Sequence, residues 1–303
     1  MSTRSRRPLL ALAAVLLPAL AWAVPPMPMG YPALQNPVGP DAWWWDDRWW
    51  EEGYIEPPVN HEVRVRWTEY RNGDVTVPAM IARPDDDRRY PAVLYQHGRR
   101  GLDELIQLQV RRLAARGFVV LAPDVFSGRF IEKFPIEHDY AVEGDTAAGV
   151  DVLLALPDVG TTRACFASQT RGGYMTLKAA VKHDRQHKGI ACYVAWYPHW
   201  QDPNAPEPMQ VYRYATEVDR LEIPVLIFYG EYEQYQRRRS IETGVQSLRD
   251  AGREARVIVY PGVGRGFDFR PPHVRTFADD LAAKDAIQRA ADFIREKLAP
   301  YRK

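Results

Sequence analysis

The stretch Arg163-Ala164-Cys165-Phe166-Ala167-Ser168-Gln169-Thr170-Arg171-Gly172-Gly173 changes character part-way along. Residues 163–167 read as a short apolar strand, and the run Tyr174-Met175-Thr176-Leu177-Lys178-Ala179-Ala180 that follows reads as a helix. The five residues Ser168-Gln169-Thr170-Arg171-Gly172 therefore make a sharp turn from strand to helix. A side chain at the tip of such a turn stands clear of the sheet, which makes Thr170 the first candidate functional residue.

Outward from this turn the chain keeps one rhythm. Towards the N-terminus, Val63, Val65 and Trp67 alternate with charged residues, and Val75, Val77, Ala79 and Ile81 repeat the alternation beyond Asn72-Gly73. That pattern predicts an antiparallel hairpin with one wet face. Pro91-Ala92-Val93-Leu94-Tyr95 and Phe118-Val119-Val120-Leu121-Ala122 are continuous apolar strands, joined by a helix from about Asp103 to Arg116 that turns Leu105, Leu108, Leu113 and Ala114 to the sheet. A second helix is expected from about Asp145 to Leu156. Towards the C-terminus, strands are expected at Ile190 to Trp196, Pro224 to Tyr229 and Arg256 to Tyr260, with helices from about Arg238 to Ala251 and Ala278 to Lys297. Apolar strands alternating with amphipathic helices predict an α/β fold, its mostly parallel central sheet covered by helices on both faces.

A chain of 303 residues, 46% hydrophobic, suffices for one large α/β domain. The net charge of +1 does not point to nucleic acid or a membrane surface as partner. There is no HExxH, paired CxxC or P-loop, hence no positive sign of a metal or cofactor. Cys165 and Cys192 fall on successive strands, and a bridge between neighbouring buried strands is awkward, so both are expected as buried free thiols.

Residues 1–23 read as a signal peptide. Arg4, Arg6 and Arg7 precede an apolar run from Leu9 to Leu20, and Ala21-Trp22-Ala23 has small-x-small cleavage form. Ser5-Arg6-Arg7-Pro8-Leu9-Leu10 also approximates a twin-arginine signal. Export to a periplasm or the exterior is the expectation, with no stable membrane span after cleavage. Residues 24–60 form an extension rich in Pro and Trp, and five tryptophans between Trp43 and Trp50 must be covered, by the domain's own flank or by a protein partner. Residues 61–303 form the domain proper.

Several segments in order resemble the dienelactone hydrolase family of α/β-hydrolases. They are Pro91 to Gly98, Gly117 to Phe126, the Ser168 to Gly172 turn, Pro224 to Glu231, and Tyr260 to Phe267. The resemblance covers about Val75 to Leu298 and implies an ester or lactone hydrolase. In such a fold the strand–turn–helix is the nucleophile elbow, usually G-x-S-x-G. Carried over position by position, the elbow nucleophile falls on Thr170, the acid on Glu233 with Glu231 competing, and the triad His on Arg265. Arginine stays protonated and cannot serve as a base, and a Thr hydroxyl without a base is a poor nucleophile. The expected outcome is a degenerate triad, a relaxed elbow with Ser168 adding bulk, and an ion pair between Arg265 and Glu233.

What remains expected at the mouth is positive charge from Arg99, Arg100, Arg129, Arg171 and Arg265, with His97 on the oxyanion side. Guanidinium groups bind carboxylates bidentately, so a small anionic ligand fits this set. The competing reading is an active hydrolase using Thr170 or Ser168 with a relocated base, for which His97, His199 and His273 are the candidates.

Overall fold

The computed structural model describes residues 60–303. The hairpin is present as β1 (Val63–Asn72) and β2 (Val75–Pro84), with Gly73 at φ 58° in the turn, a left-handed conformation that glycine adopts without penalty. The remaining strands are β3 (Tyr90–Gln96), β4 (Val119–Pro123), β5 (Val159–Gln169), β6 (Ile190–Trp196), β7 (Val225–Tyr232) and β8 (Ala255–Gly264). They form one eight-stranded sheet in the order β1-β2-β4-β3-β5-β6-β7-β8, antiparallel across β1, β2 and β4 and parallel from β4 onward. β4 and β6 are buried along their whole length, as expected of strands covered on both faces.

The described residues form six helices: α1 (Glu104–Ala115), α2 (Val142–Leu154), α3 (Arg171–Val181), α4 (Glu207–Tyr212), α5 (Tyr235–Asp250) and α6 (Phe277–Leu298). Asp103 caps α1 by accepting from the Ile106 N–H at 3.1 Å. The buried stripe of α1 is Ile106, Val110, Leu113 and Ala114, and Leu108 is exposed, so its inner face is rotated from the one read in sequence. Helix α6 opens with a reciprocal capping box between Thr276 and Asp279. Among the described residues no helix is long and apolar enough to cross a membrane.

The two cysteines correct the sequence reading. Cys165 on β5 and Cys192 on β6 stand directly opposite in register, 4.7 Å apart at Cα, and form a disulfide. That separation lies inside the range a disulfide spans. The bridge closes a loop of sequence separation 27, which chain-entropy reasoning values at about 3.5 kcal/mol. Reduction in mild denaturant should therefore lower unfolding stability by about that amount, read as a shifted midpoint beside a Cys165→Ala/Cys192→Ala variant.

The chain runs from β3 to β4 on one side, then crosses to β5 on the other side of β3. In open α/β sheets this switch point, at the carboxyl ends of the strands, is where ligands bind. The loop after β3 and the turn after β5 meet here.

Candidate active site

Thr170 sits at φ 51° and ψ −123°, a region essentially reserved for glycine and costly for a β-branched residue. The elbow is therefore not relaxed, contrary to the sequence expectation. Close packing holds it: a Cβ on Gly172 would lie 2.4 Å from the Gln96 carbonyl oxygen, and one on Gly173 would lie 2.4 Å from Pro198 Cβ. On the opposite side Gly98 presses its Cα against the Thr170 hydroxyl, since a Cβ there would fall 1.7 Å from Oγ1. The Thr170 carbonyl accepts from the His199 N–H at 2.8 Å. The turn is thus fixed by the loops after β3 and β6 while Thr170 stays partly open to solvent.

Ser168 does not add bulk at the mouth. It is fully buried, its Oγ 3.1 Å from Thr176 Oγ1 and 3.5 Å from the Val194 carbonyl oxygen, on the α3 side of the strand. That placement removes it as an alternative nucleophile.

Where a triad would have its imidazole, Arg265 Nη1 donates to Glu233 Oε1 at 2.9 Å. Glu233 Oε1 also accepts from the Gln234 N–H at 3.0 Å, while Glu231 points outward and accepts from the Gly262 N–H at 2.9 Å. Glu233 is therefore the acid that faces the site. The Arg265 guanidinium lies over the Tyr197 ring, its Cζ 5.2 Å from the centroid. Beneath, the Tyr197 hydroxyl donates to Asp268, which also accepts from Gln169 Nε2. Burial pushes the Asp268 carboxyl up to about 6, against the opposing hydrogen bonds from Tyr197 and Gln169. Burial and then Asp268 push the Tyr197 phenol up.

Four of the arginines expected at the mouth do other work. Arg129 forms a two-pronged pair with buried Asp145, which also accepts from Asn72, tying the β4–α2 loop to the hairpin. Arg99 donates to the Pro135 carbonyl at 2.8 Å and to that of Phe134 at 2.7 Å. Arg171 donates to the carbonyls of Pro135, Ile136 and Glu137 at 2.9 to 3.1 Å. Both strap the loop between β4 and α2 across the entrance. Arg100 pairs with Asp103 at 2.7 Å, and His273 is exposed. His97 is fully buried, its Nδ1 2.8 Å from the Gly98 carbonyl oxygen and its Nε2 3.8 Å from Asp124, so it supports its own loop.

The residue that sequence reading missed is Arg237, on the first turn of α5. Its Nε and Nη1 are buried without a hydrogen-bond partner, as are Arg265 Nη2, Arg171 Nε, His199 Nδ1 and Glu233 Oε2. Burial, then the Arg265 charge, brings Arg237 down to about 10, which leaves it a cation at neutral pH. Burial, then the guanidinium groups of Arg265, Arg237, Arg171 and Arg99, holds the His199 imidazole well below its usual value. A neutral ring among four guanidinium groups, three of them with unmet donors, makes this a buried electropositive spot at the mouth.

The model of the dienelactone hydrolase family matches residues 77–298, most of the domain. The chain belongs to this family. Relatives described as "Putative carboxymethylenebutenolidase" include one from Escherichia coli K12, 31% identical over 224 residues, which covers 67% of this chain and 78% of the relative. Another from Salmonella typhimurium is 30% identical over 237 residues, covering 72% of this chain and 82% of the relative. Among solved structures, a chain described as a "Putative Dienelactone Hydrolase" from Klebsiella pneumoniae superposes with TM-score 0.62 at 22% identity, covering 80% of this chain and 100% of that one. A dienelactone hydrolase-like promiscuous phosphotriesterase from metagenomic libraries gives TM-score 0.60 at 16% identity, covering 78% and 98%. Those two establish the fold. The dienelactone hydrolase class is that of ester and lactone hydrolases, and this member carries Thr170 and Arg265 where the family's nucleophile and His are expected.

Proposed function

We propose that this chain is a dienelactone hydrolase family member that has given up hydrolysis through the family's triad and uses the retained mouth to bind a small carboxylate. One observation carries the reading: Arg265 fills the place of the imidazole and is engaged by Glu233 at 2.9 Å, so no base stands between acid and Thr170. The unmatched donors of Arg237 and Arg265 support the binding half, because buried, charged N–H groups without a partner match the oxygens of a carboxylate. The cradle is thus Arg237 with the free Nη2 of Arg265, rather than Arg99 and Arg129, which are already engaged, or Arg171, whose two Nη groups hold the 135–137 carbonyls.

The test is calorimetric titration with short carboxylates beside an ester and lactone hydrolysis assay. Wild type should bind and fail to turn over, and Arg237→Gln should weaken binding at least about tenfold, a charge-assisted pair's worth. Turnover that disappears in Thr170→Ala would sink the proposal. It would instead favour hydrolysis by Thr170 with His199 as base, a reading supported by the buried, unpartnered Nδ1 of that residue and its backbone bond to Thr170. Export, read from residues 1–23, belongs to the same proposal, and a disulfide between Cys165 and Cys192 suits an oxidising compartment. Residues 1–23 and the Trp43 to Trp50 cluster lie outside the described residues.

A further inference from the structure

The large exposed apolar side chains are not scattered. Among the described residues all but Trp67 and Leu108 lie at, or in segments leaving, the carboxyl ends of strands, on the face that carries the mouth. Phe130, Phe134 and Ile136 stand on the β4–α2 loop, 96%, 52% and 86% exposed. Arg99 and Arg171 draw the carbonyls of residues 134–137 towards the elbow, the Ile136 side chain stays in solvent, and the half-exposed Phe134 ring carries the Arg100 guanidinium 5.4 Å from its centroid. Phe130 and Phe134 both hold positive φ, 57° and 60°, which is uncommon for a bulky residue.

Across the mouth Met209 and Tyr212 sit on α4, which packs on α5, and Tyr235 opens α5 two residues before Arg237. The two sides are joined: the Asn204 amide donates to the His138 carbonyl at 2.8 Å, and its oxygen accepts the His138 N–H at 2.7 Å. Exposed apolar side chains thus stand both on the loop held by Arg99 and Arg171 and on the helix turn that carries the buried, unmatched donors of Arg237. Exposed aromatic groups gathered on one face mark a contact surface.

We infer that the ligand is an amphiphilic anion, a carboxylate head on Arg237 and Arg265 with an apolar body of several carbons lying on the Phe134, Ile136, Tyr212 and Tyr235 rim. The inference rests on the anion-binding reading and adds the body to the head. The charge of the floor selects the head group, and the breadth of the rim exceeds what acetate would touch.

Calorimetry with acetate, hexanoate and decanoate, each below its aggregation concentration, tests it. Full burial of a methylene strengthens binding about fourfold, so even partial contact should give decanoate at least about a tenfold advantage over hexanoate. Phe134→Ser with Ile136→Ser should remove most of that advantage and leave acetate unchanged, whereas Arg237→Gln should weaken all three by a common factor. Equal affinity at every chain length overturns the amphiphile and leaves the carboxylate site standing. No binding at any length overturns both. Decanol binding as tightly as decanoate, or phosphatidylglycerol vesicles captured independently of Arg237, would show a purely apolar or a lipid-surface contact and overturn the inference.

Discussion

Replacing Thr170 by Ser and Arg265 by His together is expected to raise ester hydrolysis at least about 100-fold over wild type, the low end of what a positioned general base contributes. The backbone needed is already built. Thr170 holds φ 51° and ψ −123° although that conformation is costly for a β-branched residue, and serine occupies it with less crowding. Glu233 presents Oε1 2.9 Å from the residue at position 265, so an imidazole there would inherit an acid partner to orient it and to stabilise its charged form. Neither change should suffice alone. Serine without a base is as inert as threonine, and a histidine facing Thr170 meets a hydroxyl crowded by its own methyl and by Gly98. Initial rates on a short-chain nitrophenyl ester and a lactone, for wild type, both single variants and the pair, decide the matter. A double variant that folds, by circular dichroism and melting, yet hydrolyses no faster than wild type would mean that the cleft has lost more than its base.

The elements legible in the sequence were those written in one local stretch or one period. The sheet and the elbow follow from contiguous residues whose spacing fixes their place, and the assignment of Thr170 and Arg265 to the nucleophile and His positions follows from the family resemblance. What was not legible depends on register or on long side chains finding remote partners. The bridge between Cys165 and Cys192 follows from the β5–β6 register, which apolar runs do not encode. The arginines divide for a similar reason. Arg99 and Arg171 look free at the mouth until the β4–α2 loop brings its carbonyls within 3.1 Å, and Arg129 until Asp145 is found beneath the hairpin. Arg237 was hidden by its neighbours, because Arg237-Arg238-Arg239 at the start of a helix reads as a solvated face. Burial lowers Arg237, whereas Arg238 pairs with Glu242 at 2.7 Å and Arg239 lies over the Tyr212 ring. The elbow was read as relaxed because the cost of strain is local, whereas its compensation comes from Gln96, Gly98 and Pro198 on other loops.

Asp268 makes the mouth's foundation sensitive to pH, and the size of the effect follows from its place. The carboxyl is buried beneath the elbow and accepts from the Tyr197 hydroxyl and the Gln169 amide, and its backbone carbonyl accepts from Gln109 at 2.6 Å and Arg112 at 3.0 Å. It therefore joins the ends of β5 and β6 to the loop after β8 and to α1. Its value is raised from 3.8 to about 6 in the fold, so the native state holds a proton that the unfolded chain has lost across that interval. Stability from this group is complete below pH 4 and is lost as pH climbs through 6, by about 3 kcal/mol. Buried His199 works in the opposite sense: held neutral well below its usual value, it favours the fold above pH 6.5 and loses that contribution as pH falls. The two must be separated, and Asp268→Asn does so by removing one titration while keeping an oxygen to accept from Tyr197. Urea unfolding of both proteins from pH 4 to 7.5 should show wild type losing about 3 kcal/mol relative to the variant as pH rises, with the change centred between pH 4 and 6. A difference that stays flat across that range would place the Asp268 titration elsewhere and remove the link between this carboxyl and the packing under Thr170. A difference of the expected sign would mean that the Tyr197 ring, and the Arg265 guanidinium resting on it, sit on a base that carries its own charge at neutral pH. The floor of the mouth is then anionic beneath and cationic above, which sets Arg265 against the Tyr197 ring with its Nη2 donor unmatched.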